Sequence, residues 1–185
     1  MLHIFRAADV TGFDRTKSSH EDAVSNLRYQ EWGDAIRRRG RHMEMILSKP
    51  SKEFINPKTL IAPGAAVYSH VAKVVSGTIV YISGQVPSDA SGKMIGEGDF
   101  EAQVEQVFAN LKIAVEAAGG TMADIVKLNY FLAAEVDQAD VPKMRPIRDR
   151  YLNVAEPPAS TFVVVSRLMR PGWLIEIEAV AAIGD

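Results

Sequence analysis

A chain of 185 residues, 47% of them apolar, is long enough for one ordinary domain with an appendage and too short for two full cores. Its 21 basic and 23 acidic residues leave a formal net charge of -2, which supplies no general attraction to phosphate backbones or anionic lipid and disfavours nucleic acid as a partner. The absence of cysteine excludes a disulfide framework, a thiolate nucleophile and Cys-ligated zinc. With no stretch near the ~20 apolar residues of a membrane span and no leader-like run at the N-terminus, a soluble cytoplasmic protein is expected.

Residues 1–53 read as an N-terminal extension, partly helical or disordered, and residues 54–185 as the folded domain. The extension is polar and charge-dense, with Arg37-Arg38-Arg39-Gly40-Arg41 its most basic stretch. Ser18 and Glu21 have capping-box spacing, and Val24, Leu27, Trp32, Ala35 and Ile36 form an uneven apolar stripe, which predicts a helix over about 20–39. Downstream, Ala65 to Val75 and Gly77 to Ser83 read as two strands joined at Ser76-Gly77 into a hairpin. Pro87 to Gly98, rich in Gly, Ser and Asp, reads as loop with at most a short strand. Asp99 is placed to cap a helix in which Phe100, Val104, Val107, Phe108, Leu111 and Val115 share one face, and Gly119-Gly120 ends it.

Thr121 and Asp124 make a second capping-box turn before Ile125 to Ala133, an apolar run expected as a central strand buried on both faces. Asp140 is placed to cap a helix reaching about Leu152, kinked or tight in its first turn because of Pro142 and Pro146. Ser160 to Arg167 and Trp173 to Ala182 read as the last two strands. In the second, Ile175 and Ile177 alternate with Glu176 and Glu178, so acids and apolar groups take opposite faces. The order predicts an α+β domain, a single mixed β-sheet with two α-helices on one face. Its second face, expected to carry Val163, Val165, Ile175 and Ile177, needs a cover that oligomerisation would supply.

No metal or cofactor is expected. Gly92, Gly96 and Gly98 do not match a phosphate loop, and His3, His20, His42 and His70 are scattered singly, without the pattern of a zinc triad or a Ser-His-Asp set.

Four ordered stretches carry a resemblance. They are Ala66-Val67-Tyr68-Ser69-His70, Tyr81-Ile82-Ser83-Gly84-Gln85-Val86-Pro87, Ala118-Gly119 through Asp124-Ile125-Val126-Lys127, and Pro158-Ala159 through Ile175-Glu176-Ile177-Glu178-Ala179. Over roughly residues 54–183 the chain resembles the Rid family of YjgF-like proteins. The resemblance implies a homotrimer with pockets between subunits and hydrolysis of a small reactive enamine or imine, 2-aminoacrylate-like or aminomuconate-like, with release of ammonia. It implies Glu176 and Tyr68 as catalytic residues and Ser83, Gly84, Phe131, Ser160 and Phe162 as substrate-binding positions; Arg170, in the turn between the last two strands, is a further substrate-binding candidate. Each also has a plainer reading: an edge tyrosine, a strand-ending Ser-Gly turn, a solvated strand carboxylate, a core phenylalanine, a solvated turn arginine.

Two positions depart from the family pattern. Ser160 stands where active deaminases carry the arginine that anchors the substrate carboxylate, and Phe162 stands where many carry a cysteine. A guanidinium fits a carboxylate bidentately and a serine hydroxyl does not, so a more apolar, less cationic pocket is expected unless Arg148, Arg167 or Arg170 reaches it. The alternative function is a non-catalytic small-ligand-binding or chaperone-like trimer. An endoribonuclease ranks third, since no His or Lys cluster for phosphodiester cleavage is evident.

Overall fold

Alternation and periodicity place the elements of the computed structural model, which describes residues 50–184; the helix expected over 20–39 lies outside the described residues. The chain runs through β1 (Lys52–Ile55), β2 (Val71–Val74), β3 (Thr78–Gln85), α1 (Phe100–Ala117), β4 (Ile125–Ala133), α2 (Met144–Tyr151), β5 (Ala159–Val165) and β6 (Ile175–Ile183). The main sheet has the order β3-β6-β4-β5, with β5 parallel to β4 and the other pairs antiparallel. The α+β class therefore holds. The strands nevertheless divide into this four-stranded mixed sheet and a separate β1-β2 ladder rather than one continuous sheet.

The expected hairpin between residues 65–75 and 77–83 is not made. Ile55 pairs with Val71 and Ile82 with Ala179, so β2 turns to the strand before it and β3 to the last strand. The backbone explains the choice: the amides of Val75 and Ser76 both donate to the Ser51 carbonyl, at 2.8 and 3.3 Å, which holds the end of β2 on the chain leading into β1. The paired backbone thus begins at Lys52, two residues above the compositional change at 54.

The helix α1 forms as its sequence dictates. The Asp99 carboxylate accepts from the Ala102 amide at 3.0 Å, satisfying one of the free donors of the first turn. Its stripe of Val104, Val107, Phe108, Leu111 and Val115 is fully buried. It belongs to one core with Leu128, Tyr130 and Leu132 of β4 and Ile175, Ile177, Ala179 and Ala181 of β6. Each such large side chain contributes about 2 kcal/mol of apolar burial. Gln103 is also fully buried, and its amide is satisfied on both ends: it donates to the carbonyls of Gly96 and Gly172 and accepts from the Leu174 amide.

Helix α2 adds Met144 and Ile147 to the same core, so both helices cover one face. The expected tight entry is a 3-10 turn over Val141–Lys143 that accommodates Pro142, with Pro146 held within the first α-turn. Phe108 stacks on Tyr151 at 5.3 Å, and Glu105 accepts from the Tyr151 hydroxyl at 2.7 Å and pairs with Arg150, tying α2 to α1.

The face assignment needs one correction. Ile175 and Ile177 lie under the helices, not on the uncovered side, because the alternation of β6 puts Glu176, Glu178 and Val180 outward. For the same reason β4 is buried on its helix face only: Lys127, Asn129 and Phe131 remain partly exposed. The uncovered face is amphipathic, with Ile79, Tyr81 and Val163 exposed beside these polar groups.

Candidate functional site

Two concave regions receive the residues expected to carry function, one on each side of the sheet. On the uncovered face, Glu176 lies opposite Phe131 in the β4-β6 register and lines a concavity of about 470 Å³ with Phe131, Arg167 and Glu178. Strand β3 is irregular between Ile82 and Gln85, where an extra residue makes a bulge at Ser83-Gly84. A Cβ at Gly84 would fall on the Glu176 carboxylate, so the acid is folded over a backbone that has no side chain. The plain reading of Ser83-Gly84 as a strand-ending turn gives way to an in-strand bulge beside the acid. Ser83 itself lines an adjoining hollow with Lys127, Asn129 and Glu178.

Burial, and secondarily the negative charge of Glu178, hold the Glu176 carboxyl above the usual carboxylate range. Glu178 accepts from the Asn129 amide at 2.6 Å. Lys127 donates to the Thr161 hydroxyl at 2.6 Å, its ammonium pulled down in pKa by burial while Glu178 acts in the opposite direction. This face thus sets one carboxyl of raised pKa beside an apolar ring and a cation.

On the helix side, at the β5 edge, a pocket of about 290 Å³ brings together Tyr68, Ser160 and Phe162 with Tyr130, Arg145 and Arg148. Phe162 stacks on Tyr130 at 5.4 Å, and Tyr68 meets His70 edge to face at 5.1 Å. The His70 Nε2 is 2.7 Å from the Ile61 carbonyl oxygen, which fixes the ring against which Tyr68 rests. Val67, also in the lining, has φ of 48°, a left-handed conformation that a β-branched residue adopts at a cost of about 1–3 kcal/mol and that concentrates at functional sites. Of the arginines that could offset Ser160, Arg148 stands on this wall, with Arg145 beside it.

The single protomer therefore splits the expected site: Glu176, Phe131, Ser83 and Gly84 lie on one face, and Tyr68, Ser160 and Phe162 on the other. Arg170 joins neither. Its guanidinium lies over the Trp173 ring at 5.3 Å and donates to the Gly92 carbonyl at 3.4 Å, which gives it a role in holding the turn before β6. Of the three arginines considered from sequence, Arg148 lines the Tyr68 pocket and Arg167 the Glu176 concavity. The strained Val67 went unread because nothing in its sequence neighbourhood marks positive φ at a valine. Among the described residues no cluster of His, Cys, Asp or Glu could hold a metal ion, and no helix is long and apolar enough to cross a membrane.

The family model described as Endoribonuclease L-PSP matches residues 59–183, nearly the whole of the described chain. The chain belongs to this Rid family. A RutC family protein of Pyrococcus horikoshii is 38% identical over 114 residues, 62% of this chain and 85% of that protein. Protein HMF1 of Saccharomyces cerevisiae is 34% identical over 125 residues, covering 67% of this chain and 91% of its own. Among solved structures, a Rid family protein of unknown function from Yersinia pestis superposes with a TM-score of 0.63 at 33% identity, over 71% of this chain and 98% of that one. RidA from the Antarctic bacterium Psychrobacter gives 0.51 at 35% identity, over 70% and 98%. The sequence resemblance to the Rid family thus holds, and with it the α+β scaffold.

Proposed function

We propose that this Rid protein is a cytoplasmic hydrolytic deaminase of a small reactive enamine or imine, working as a homotrimer whose subunit clefts unite the two half-sites. The observation that carries the reading is Glu176: a carboxyl of raised pKa, folded over Gly84 at a bulge, facing a concavity. The uncovered sheet face supports assembly, because Tyr81 is 82% exposed and Ile79, Val163 and Phe131 leave further apolar surface beside it for a partner to cover. A neighbour seated there would bring its β5 edge, with Tyr68, Ser160 and Phe162, toward Glu176.

The chemistry asks for few groups. A proton from solvent added at carbon converts the enamine to its iminium ion. Glu176 as carboxylate then takes a proton from a held water as the oxygen bonds to the C=N carbon, and that proton goes on to nitrogen. The hydroxyl of this carbinolamine loses its proton to solvent as the C=O bond forms and the C–N bond breaks, and ammonia leaves with the carbonyl product. A positioned acid/base of this kind is worth about 10²- to 10⁴-fold in rate. Ammonia release from 2-aminoacrylate and from an aminomuconate, compared with Glu176→Gln, tests the reading; a drop of that size in the variant is the expected result. Equal release by the two proteins defeats it.

A second reading has one observation in its favour. Among the described residues no carboxylate lines the Tyr68 pocket, which suits a ligand-binding trimer without catalysis. No ammonia above the Glu176→Gln level across enamines and imino acids is the result that selects it. The endoribonuclease in the family model's description draws no support from a chain of net charge -2.

A further inference from the structure

Of the β4 side chains under the helices, Tyr130 is the longest. Its neighbours Leu128 and Leu132 end in the sealed core, whereas Tyr130, itself only 4% exposed, reaches the pocket that holds Tyr68, Ser160 and Phe162. Its hydroxyl makes no hydrogen bond among the described residues. Burial pushes the phenol far up in pKa, with Arg148 pulling it back, so at neutral pH it is an uncharged donor. The oxygen is nonetheless not sealed off, as the partnerless hydroxyls of Ser69 and Ser88 are. A buried hydroxyl left without a partner is costly, and one that opens on a cavity recovers that cost from a ligand.

The surroundings say which atom it would meet. Among the described residues no carboxylate lines the pocket, and the Ala66 carbonyl on its wall is already taken by Arg148. The other polar side chains there, Tyr68, Ser160 and the exposed Arg145, can all donate, and neither hydroxyl has a partner among the described residues. A pocket of donors suits an acceptor oxygen. The charge of Arg148 is met by Asp149 at 2.7 Å, so that oxygen need carry none. The apolar part of the lining is flat. Phe162, opposite Tyr130 in the β4-β5 register, stacks on it at 5.4 Å with an inclination of 25° and leaves 41% of its own surface free. An apolar cavity of roughly 150 Å³ accepts a benzene ring. The pocket's volume of about 290 Å³ therefore holds one ring with a polar substituent. We propose that the Tyr130 hydroxyl donates to the carbonyl oxygen of an uncharged aromatic ligand whose ring packs on Phe162.

The inference deepens the deaminase reading by naming the far end of the substrate, an imine or enamine that carries such a ring. It rests on that reading only in taking this pocket as a half-site. NMR titration of the full chain with benzamide, and with aniline as a flat ring without an oxygen, tests it. The parent should hold benzamide at least about tenfold tighter than aniline. Tyr130→Phe should weaken benzamide by about tenfold, leave aniline unchanged and melt no lower than the parent, since it removes a hydroxyl that nothing in the protein satisfies. A folded Tyr130→Phe protein that binds benzamide as the parent does, or a parent that does not tell benzamide from aniline, overturns the proposal. So does benzoate bound more than about tenfold tighter than benzamide, which would make charge the property recognised. Should Tyr130→Phe fail to fold, a crystal structure of the parent soaked with benzamide decides: a carbonyl oxygen within hydrogen-bond reach of the Tyr130 hydroxyl supports the proposal, and one seated elsewhere sinks it. Benzamide held through Tyr130 without ammonia release from any enamine keeps the donor and removes the hydrolase. Ammonia release that falls in Glu176→Gln, with benzamide held no better than aniline, does the reverse.

Discussion

At Gly84 a missing side chain sets the place of an acid. The backbone there is not in the left-handed region, so an alanine meets no conformational penalty, only the Glu176 carboxylate where its methyl must go. Gly84→Ala should therefore displace Glu176 and cut ammonia release at least about tenfold, because misplacing a catalytic group by an ångström costs that much or more. A melting temperature close to the parent's would assign the loss to the site. Glu178 offers a finer probe. Its charge helps hold the Glu176 carboxyl up in pKa, so the isosteric Glu178→Gln, which keeps an oxygen for the Asn129 amide, should lower it. With Glu176 acting as carboxylate, the acid limb of the kcat/KM profile then moves to lower pH; an unmoved limb would assign it to another group. That Glu176 and Ile177 take opposite faces was legible from alternation alone. Which face the helices cover was not, because the period of two is the same for either choice, and Ile175 and Ile177 were expected on the wrong side.

Elements differ in how much of their fate is local. Helix α1 was legible to within a residue or two, since a cap, an apolar stripe and a Gly-Gly stop agree within twenty residues of chain. Strand β1 was not, because the four residues Lys-Glu-Phe-Ile show no alternation of polar and apolar types to separate them from a polar tail, and their partner lies in β2. The two site pockets depend on pairings of still longer range, which no window of sequence contains. Between α1 and α2 the hold is partly polar, and it is titratable. The Tyr151 hydroxyl, partly desolvated and donating to Glu105, is pushed up to about 12. A phenol whose pKa is higher folded than unfolded adds stability below the unfolded value of about 10, and that stability is lost as pH rises through the folded value. Between pH 10 and 12 the parent should lose melting temperature faster than Tyr151→Phe. Parallel slopes for the two proteins would mean that the hydroxyl carries no such linkage.

For the whole molecule, the proposed trimer would rest on the uncovered sheet face. A charge placed on it, as in Ile79→Asp, should lower the sedimenting mass from three chains to one and abolish ammonia release even though Glu176 and Tyr68 are untouched, since each protomer holds only half of the proposed site. A parent that sediments as one chain and still releases ammonia would place the whole reaction within a protomer.

The position of β6 has a consequence for how the protein is made. The last of these strands to leave the ribosome is inserted between β3 and β4, which come off it some fifty to a hundred residues earlier. Until Ile175–Ile183 arrives, those two strands have no central partner and the oily side of α1 has only part of its bed. The nascent chain must wait, open and sticky, for its closing piece, so the sheet cannot close before residues 175–183 are free to insert.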